Sequence, residues 1–214
     1  MRSKFDQQLL QLNREMITMG SLCETAIAAS AKALMEGDIT IAASVPEIAA
    51  QIAEKEREIE TMCLKLLLQQ QPVARDLRVI SSALKMVTDM ERVGHQSADI
   101  AEIITMAHIT ASRDTLNIHD MALATIKMVT QSIDAFVRKD VSIARSVIAY
   151  DDVVDRYFDE IKATLIRLFS QPETDGEYAL DLLMIAKYFE RIGDHAVNIA
   201  KWVLFSITGS REES

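Results

Sequence analysis

Along most of this chain, apolar residues recur at alternating steps of four and three, a rhythm that leaves room for little except long α-helices packed side by side. The series Val45, Ala49, Ile52, (Glu56), Ile59, Cys63, Leu66 keeps the alternation without a slip. So does the series Val73, Leu77, Ile80, Leu84, Val87, (Glu91), Gly94, Ala98, Ala101. A half-buried strand would show a period of two. A mean step of about 3.5 is that of helices lying nearly antiparallel, whose facing seams stay aligned over many turns.

The breaks are few and patterned. Only six Gly and three Pro occur in 214 residues, too few turn formers for many short strands. Gly37-Asp38 reads as a stop glycine followed by a helix N-cap. Gln70-Gln71-Pro72 ends one helix and starts another, with Pro72 tolerated in a first turn. His108 to Asn117, rich in Thr, Ser, Asn and Asp, reads as a linker. Lys139-Asp140 repeats the capped corner, Gln171 to Gly176 repeats the Pro-bearing turn, and Gly209 ends the last helix. The expectation is six helices of roughly 20 to 35 residues, each about 30 to 50 Å long. With aromatics at only 5%, Leu, Ile, Val, Ala and 11 Met must fill the core.

The two halves repeat. A shift of 102 positions lays Ser30 on Ser132, Ala33 on Ala135, Asp38 on Asp140 and Ser44-Val45 on Ser146-Val147. A shift of 99 lays Met90-Glu91-Arg92-Val93-Gly94 on Phe189-Glu190-Arg191-Ile192-Gly193. The change of offset falls in the turns around Pro72 and Pro172. The chain therefore reads as all-α, two tandem three-helix bundles related by internal duplication, covering 1–110 and 115–210 and joined near residue 113.

Chemistry concentrates in the second unit. On its middle helix Val147, Asp151, Val154, Phe158, Ile161, Leu165 and Leu168 form the seam, which places Asp151 among apolar residues with Asp155 one turn on. On its last helix the seam is Leu183, Ala186, Glu190, Gly193, Val197, Ala200, with Asp194 and Asn198 following Glu190 at one-turn intervals. Asp151 lies 21 residues before Pro172 and Glu190 lies 18 after it, so the two stand at nearly the same level on antiparallel helices. Burying one unpaired ion costs several kcal/mol against a total stability of about 5–15. Four converging carboxylates must be exposed, protonated or neutralised, and a cation of the Mg, Mn or Fe kind would neutralise them directly. The plainer alternative is a solvated acidic face laced by salt bridges.

The first unit differs. Ala49 and Ala53 stand where the second unit has Asp151 and Asp155, while Glu56 and Glu60 offer carboxylates at other repeat positions. Its last helix keeps Glu91 and has His95 and Asp99 where the second unit has Asp194 and Asn198. Glu91, His95 and Asp99, one turn apart, form a second candidate ligand set. Gly94 and Gly193, inside helices, each cost about 1 kcal/mol relative to Ala, which close approach of a neighbouring helix or of a bound cluster would justify. Cys23 and Cys63 lack ligand spacing and read as reduced core thiols; Trp202, Tyr157, Phe158, Tyr188 and Phe189 read as core. Arg75-Asp76-Leu77-Arg78 reads as a charged first turn at an exposed corner, either a docking surface or simply solvated.

Charge and hydropathy exclude several roles. The net charge of −9 argues against nucleic acid as a direct partner and favours basic protein surfaces and metal cations. The longest stretch free of Asp, Glu, Lys and Arg is ten residues, Ile103 to Ser112, where a membrane-spanning helix needs about 20. Met1-Arg2-Ser3-Lys4 leads into a mixed amphipathic segment instead of an apolar signal core, so a cytoplasmic protein is expected. No nucleophile with an adjacent base and no glycine-rich phosphate cradle is evident, so an enzyme is not expected.

The paired segments Glu91-Arg92-Val93-Gly94 and Glu190-Arg191-Ile192-Gly193-Asp194-His195-Ala196-Val197-Asn198-Ile199-Ala200 resemble those of the PhoU family, the accessory and regulatory proteins of bacterial phosphate-specific ABC transport. Gln70-Gln71-Pro72-Val73-Ala74 followed by Asp76-Leu77-Arg78 adds to the likeness, which covers nearly the whole chain. The resemblance implies two three-helix bundles. It also implies multinuclear iron or zinc clusters held by pairs like Asp151 with Asp155 and Glu190 with Asp194; magnesium or manganese are the alternatives that the carboxylate chemistry alone leaves open. Ala49, Ala53 and His95 depart from that pattern. The resemblance further implies a negative regulator of phosphate transport and phosphate-starvation signalling. Its partners would be the ATPase of the phosphate ABC transporter and a phosphate-sensing histidine kinase, and it would reach the membrane only through them, often as a homodimer. Two rival readings remain: a metal-free helical scaffold, and a carboxylate-bridged metalloenzyme. Di-iron bundles of the latter kind use Glu-x-x-His, and none of the four histidines here has an acidic residue three positions before it.

Overall fold

The computed structural model describes residues 2–70, 72–110, 117–169 and 175–210. They form six helices: α1 (Arg2–Glu36), α2 (Ile39–Gln70), α3 (Ala74–Ala107), α4 (Ile118–Arg138), α5 (Val141–Phe169) and α6 (Gly176–Thr208). Among the described residues there is no strand. The expected junction near residue 113 and the turn from Gln171 to Thr174 lie outside the described residues.

The capped corners form as their residue types dictate. Gly37 takes a left-handed φ of 65°, and Asp38 then accepts hydrogen bonds from the backbone N–H of Thr40 (2.8 Å) and Ile41 (3.2 Å). Lys139 takes φ 55°, and Asp140 accepts from the N–H of Ser142 (2.8 Å) and Ile143 (3.2 Å). For Asp140 the Ser142 hydroxyl, donating at 2.6 Å, adds the largest effect; together these bonds favour the ionised cap and hold both carboxyls below their ordinary range. Asp175 caps α6 by accepting from Glu177 N–H at 3.0 Å, and Gly209 closes it at φ 77°. Pro72 lies outside both helices: α3 starts at Ala74, with Val73 as its extended N-cap residue, not in a first turn containing Pro72.

Pro46 stands inside α2, which the apolar series carries straight across it. The pyrrolidine removes the N–H that would reach the carbonyl of Ala42, an interior position that costs about 3 kcal/mol in an isolated helix. Buried Val45 and Ala49 on either side keep the helix docked through the defect.

Packing explains the layout. Within the first half α1, α2 and α3 touch one another, and within the second α4, α5 and α6 do. Across the halves α3 packs on α6 and α1 on α4, whereas α2 and α5 touch only helices of their own half. The molecule is thus a central layer of α1, α3, α4 and α6 with α2 and α5 as opposite flanks. Met16, Met19, Met86, Met90, Met121 and Met128 are all fully buried, the adaptable filling that a core poor in aromatics needs. Cys23 and Cys63 are buried and unpaired; burial pushes the Cys63 thiol up to about 12 and raises that of Cys23 further.

The glycines mark equivalent helix crossings. A Cβ on Gly94 would lie 3.0 Å from Ile52 Cδ1, and one on Gly193 would lie 3.3 Å from Val154 Cγ1. Ile52 and Val154 are themselves related by the shift of 102, so the same close approach is built twice. The apolar seam overshoots its cover at one place. Val73 and Leu77 are 65% and 46% exposed, and Leu68 at the end of α2 is 82% exposed. The α2–α3 corner extends past the packed helices, so the period persists there with no surface to meet. Of the aromatics expected in the core only Phe189 is fully buried; Tyr157, Phe158, Tyr188 and Trp202 sit at its margin.

Candidate metal centre

The close crossing of α5 and α6 at Gly193 positions the acidic cluster of the second unit. With no side chain on Gly193, Asp151 lies down on α6, its Oδ1 3.5 Å from where a Cβ would stand. Burial, followed by the charges of Asp155, Asp194, Asp152 and Glu190, pushes the Asp151 carboxyl up to about 6. Burial and then Glu190 raise Asp155 and Asp194 as well. Asp151, Asp155, Glu190 and Asp194 thus share one electrostatic neighbourhood across two helices.

Glu190 is the hinge of the cluster. Its side chain is 16% exposed and pairs with Lys187 Nζ one turn earlier. The oxygen that meets Lys187, Glu190 Oε2, is shielded from solvent. Lys187 also lies over the Phe158 ring at 5.2 Å. As the side chains stand, no three His, Cys, Asp or Glu among the described residues are gathered into a ligand set. The donor types nevertheless fit a hard cation, since all four are carboxylates.

In the first unit, Glu91 occupies the position of Glu190, and His95 Nε2 meets Glu91 Oε1 at 2.9 Å. Burial, then Glu91 and Glu60, raise the carboxyl of Glu56, so Glu56 faces Glu91 across the α2–α3 contact. Asp99 continues the line beyond His95. Its carboxyl is raised by burial and feels first His95, then Glu102 and, from α6, Arg191. Ala49, 8% exposed, fills the place of Asp151 with a methyl group.

One constellation escaped the sequence altogether. His195 Nδ1 donates to Asp89 Oδ1 at 2.9 Å, and Asn198 Nδ2 donates to the same oxygen at 3.3 Å. Asn198, read from its spacing as continuing the line of Glu190 and Asp194, is turned to α3 instead. Nothing in the spacing on α6 signals this, because the partner lies 109 residues away on another helix. An open groove of about 560 Å³ runs along this face, lined by Asp151, Asp194, Arg191, His195, Gln96 and Lys201.

The duplicated helical bundle has counterparts among known proteins. The family model described as the PhoU domain matches residues 16–104 and again 118–203. The chain belongs to the PhoU family. A phosphate-specific transport system accessory protein PhoU homolog from Pseudomonas aeruginosa is 32% identical over 209 residues, 97% of this chain and 86% of the relative. Another, from Clostridium acetobutylicum, is 32% identical and covers 98% of this chain and 97% of its own length. The crystal structure of PhoU from Pseudomonas aeruginosa superposes with a TM-score of 0.88 at 31% identity, over 96% of this chain and all of that one. The phosphate transport system regulatory protein PhoU from Streptococcus pneumoniae, at 23% identity and a TM-score of 0.86, shares the fold. The family match occurs once in each half, as the shifts of 102 and 99 require.

Proposed function

We propose that this chain is a negative regulator of phosphate uptake: a metal-binding helical adaptor that restrains a phosphate ABC transporter and the sensor kinase of the starvation response when phosphate is plentiful. The observation that carries this reading is membership of the PhoU family over nearly the whole chain, among relatives named as transport accessory proteins. An adaptor needs surfaces that recognise proteins. Leu68, Val73 and Leu77 at one helical corner, and Ile166, Phe169 and Leu180 beside the other, are exposed apolar groups of the kind that protein contacts bury. No described helix is long and apolar enough to cross a membrane, which suits docking on the cytoplasmic side of a transporter ATPase or kinase, as a homodimer.

Asp151, Asp155, Glu190 and Asp194 would hold the cation, iron or zinc by family likeness, with Glu91, His95 and Asp99 as the weaker set. The metal would supply charge neutralisation that locks α5 to α6, and the protein's own part is to hold four carboxylates at one crossing. A metal-free scaffold is the second reading, favoured by the Lys187–Glu190 pair, which neutralises one charge without a metal. Elemental analysis of protein purified without chelator separates the two. For the regulatory role, deletion of the gene is expected to leave starvation genes expressed, or phosphate uptake uncontrolled, in high-phosphate medium. Unchanged expression and uptake in the deletion strain would refute it.

A further inference from the structure

Where the two halves meet, a cavity of about 380 Å³ opens between α1, α3, α4 and α6, lined among others by Asn13, Arg75, Arg78, Phe136, Lys139 and Ile207. In a chain of net charge −9, every charged residue lining this cavity is a cation. Among the described residues, no carboxylate lies within ion-pair distance of Arg75, Arg78 or Lys139. Arg78 Nε is shielded from solvent and has no hydrogen-bond acceptor. The guanidinium lies against Gly209, where a Cβ would stand 3.5 Å from Nε and 3.6 Å from Cζ. A donor kept from water without an acceptor is costly, and Arg75 and Lys139, both exposed, stand at the rim of the same cavity with their charges toward solvent-accessible space.

The duplication supplies a comparison within the same chain. By the two shifts, Gly37 corresponds to Lys139 and Glu177 to Arg78. At that opposite corner the chain leaving α3 fills the space. Ile109 is buried, the Thr110 carbonyl accepts a hydrogen bond from Tyr178 Oη at 2.8 Å, and a Cβ on Gly37 would collide with Thr110 Oγ1. One corner is thus plugged by the protein and, among the described residues, has Gly37 and Glu177 in place of two of the cations, while its counterpart is open and carries them. Lys139 also keeps a left-handed backbone at φ 55°, a conformation that glycine, its counterpart, adopts without strain.

We propose that this cavity binds a small organic phosphate ester. The phosphate would lie on Arg75, Arg78 and Lys139, with the Asn13 amide as a further donor. Two guanidinium forks and an ammonium match a dianionic tetrahedral group with several acceptor oxygens. The remaining volume, walled by Phe136 and Ile207, exceeds the needs of a bare phosphate ion and lies in the range of small-molecule sites. Asn13, Arg75 and Arg78 come from the first half and Phe136, Lys139 and Ile207 from the second, so the ligand would tie the halves together. The site goes beyond the regulatory role and does not depend on it.

Calorimetric titration of the full chain at low ionic strength tests the site, with ribose 5-phosphate, inorganic phosphate and uncharged ribose as probes. The expected result is one ribose 5-phosphate bound per chain, inorganic phosphate bound about tenfold more weakly, and no heat from ribose. Lys139→Gly should weaken the ester by about tenfold or more, as loss of a charge-assisted bond implies, while the ligand-free Tm holds or rises. Arg78→Met provides a second variant with the same expected loss. No binding of either phosphate probe, inorganic phosphate binding as tightly as the ester, or undiminished binding by a folded Lys139→Gly protein each overturns the proposal.

Discussion

The two halves share a skeleton and differ in chemistry. Each places a glycine of its third helix against a β-branched residue of its second, Gly94 against Ile52 and Gly193 against Val154, and each opens its second helix with an aspartate cap. At the next position along the same crossing, however, the first half has buried Ala49 and the second has Asp151, with its carboxyl pushed up to about 6. A methyl group there costs nothing to bury, whereas the carboxylate is opposed by desolvation and by three or more neighbouring acids. Packing has been kept in both copies and acidity concentrated in one, so the second crossing is where a ligand cation has most to offer.

The sharpest way to break this comparison is to remove both halves of each candidate site in turn. Asp151→Ala with Glu190→Ala is expected to abolish most metal content of protein purified without chelator, while Glu91→Ala with His95→Ala removes a smaller share. Equal losses, measured by elemental analysis, would show that the asymmetry between Asp151 and Ala49 has no bearing on metal.

A bulky residue at the glycine crossings should cost both halves alike. Gly94→Leu and Gly193→Leu each force two helices apart and are expected to lower stability by about 2 kcal/mol in denaturant unfolding. Only Gly193→Leu should also reduce metal content, because Asp151 rests on that glycine. If Gly94→Leu depletes metal equally, the first crossing is as much a binding site as the second.

The smallest effect is on pH dependence. Asp151 holds its proton more tightly folded than unfolded, so the metal-free protein loses stability as pH rises from about 4 through about 6. Above that window Asp151→Asn should be more stable than the parent by about 1 kcal/mol, a figure reduced for the half-exposed setting of the group. Glu56→Gln in the first half should give a smaller gain in the same direction, since burial and Glu91 also raise its carboxyl. A parent whose Tm is flat from pH 4 to 7 would contradict the crowding of the acidic cluster.

Most of the fold was legible because its signals are local. The capped corners at Asp38 and Asp140 depend on side chains reaching backbone N–H groups two and three residues on, and the seams on a period that any long helix imposes. The clustering of Asp151 with Glu190 was legible for the same reason: equal distances from a helical corner put two residues at one height. Asp99 lies within reach of the His95 charge, as the one-turn spacing suggests, and the packing of α3 on α6 also brings it near Arg191, which no spacing within α3 signals.

By itself, the sequence determined the number of helices, most of their ends but not the start of α3 beyond Pro72, the duplication and the pairing of acids at the second crossing, all of which follow from contacts within a few residues or from the helical repeat. The tertiary structure decided what depends on how one half lies against the other. It brought Asp89 to His195 and Asn198, left Val73 and Leu77 bare at a corner with no cover, and gathered Arg75, Arg78 and Lys139 around one cavity. Those meetings join residues tens to over a hundred positions apart on helices whose mutual rotation no period within one helix specifies. That rotation is set by which side chains interlock where α3 meets α6 and α1 meets α4.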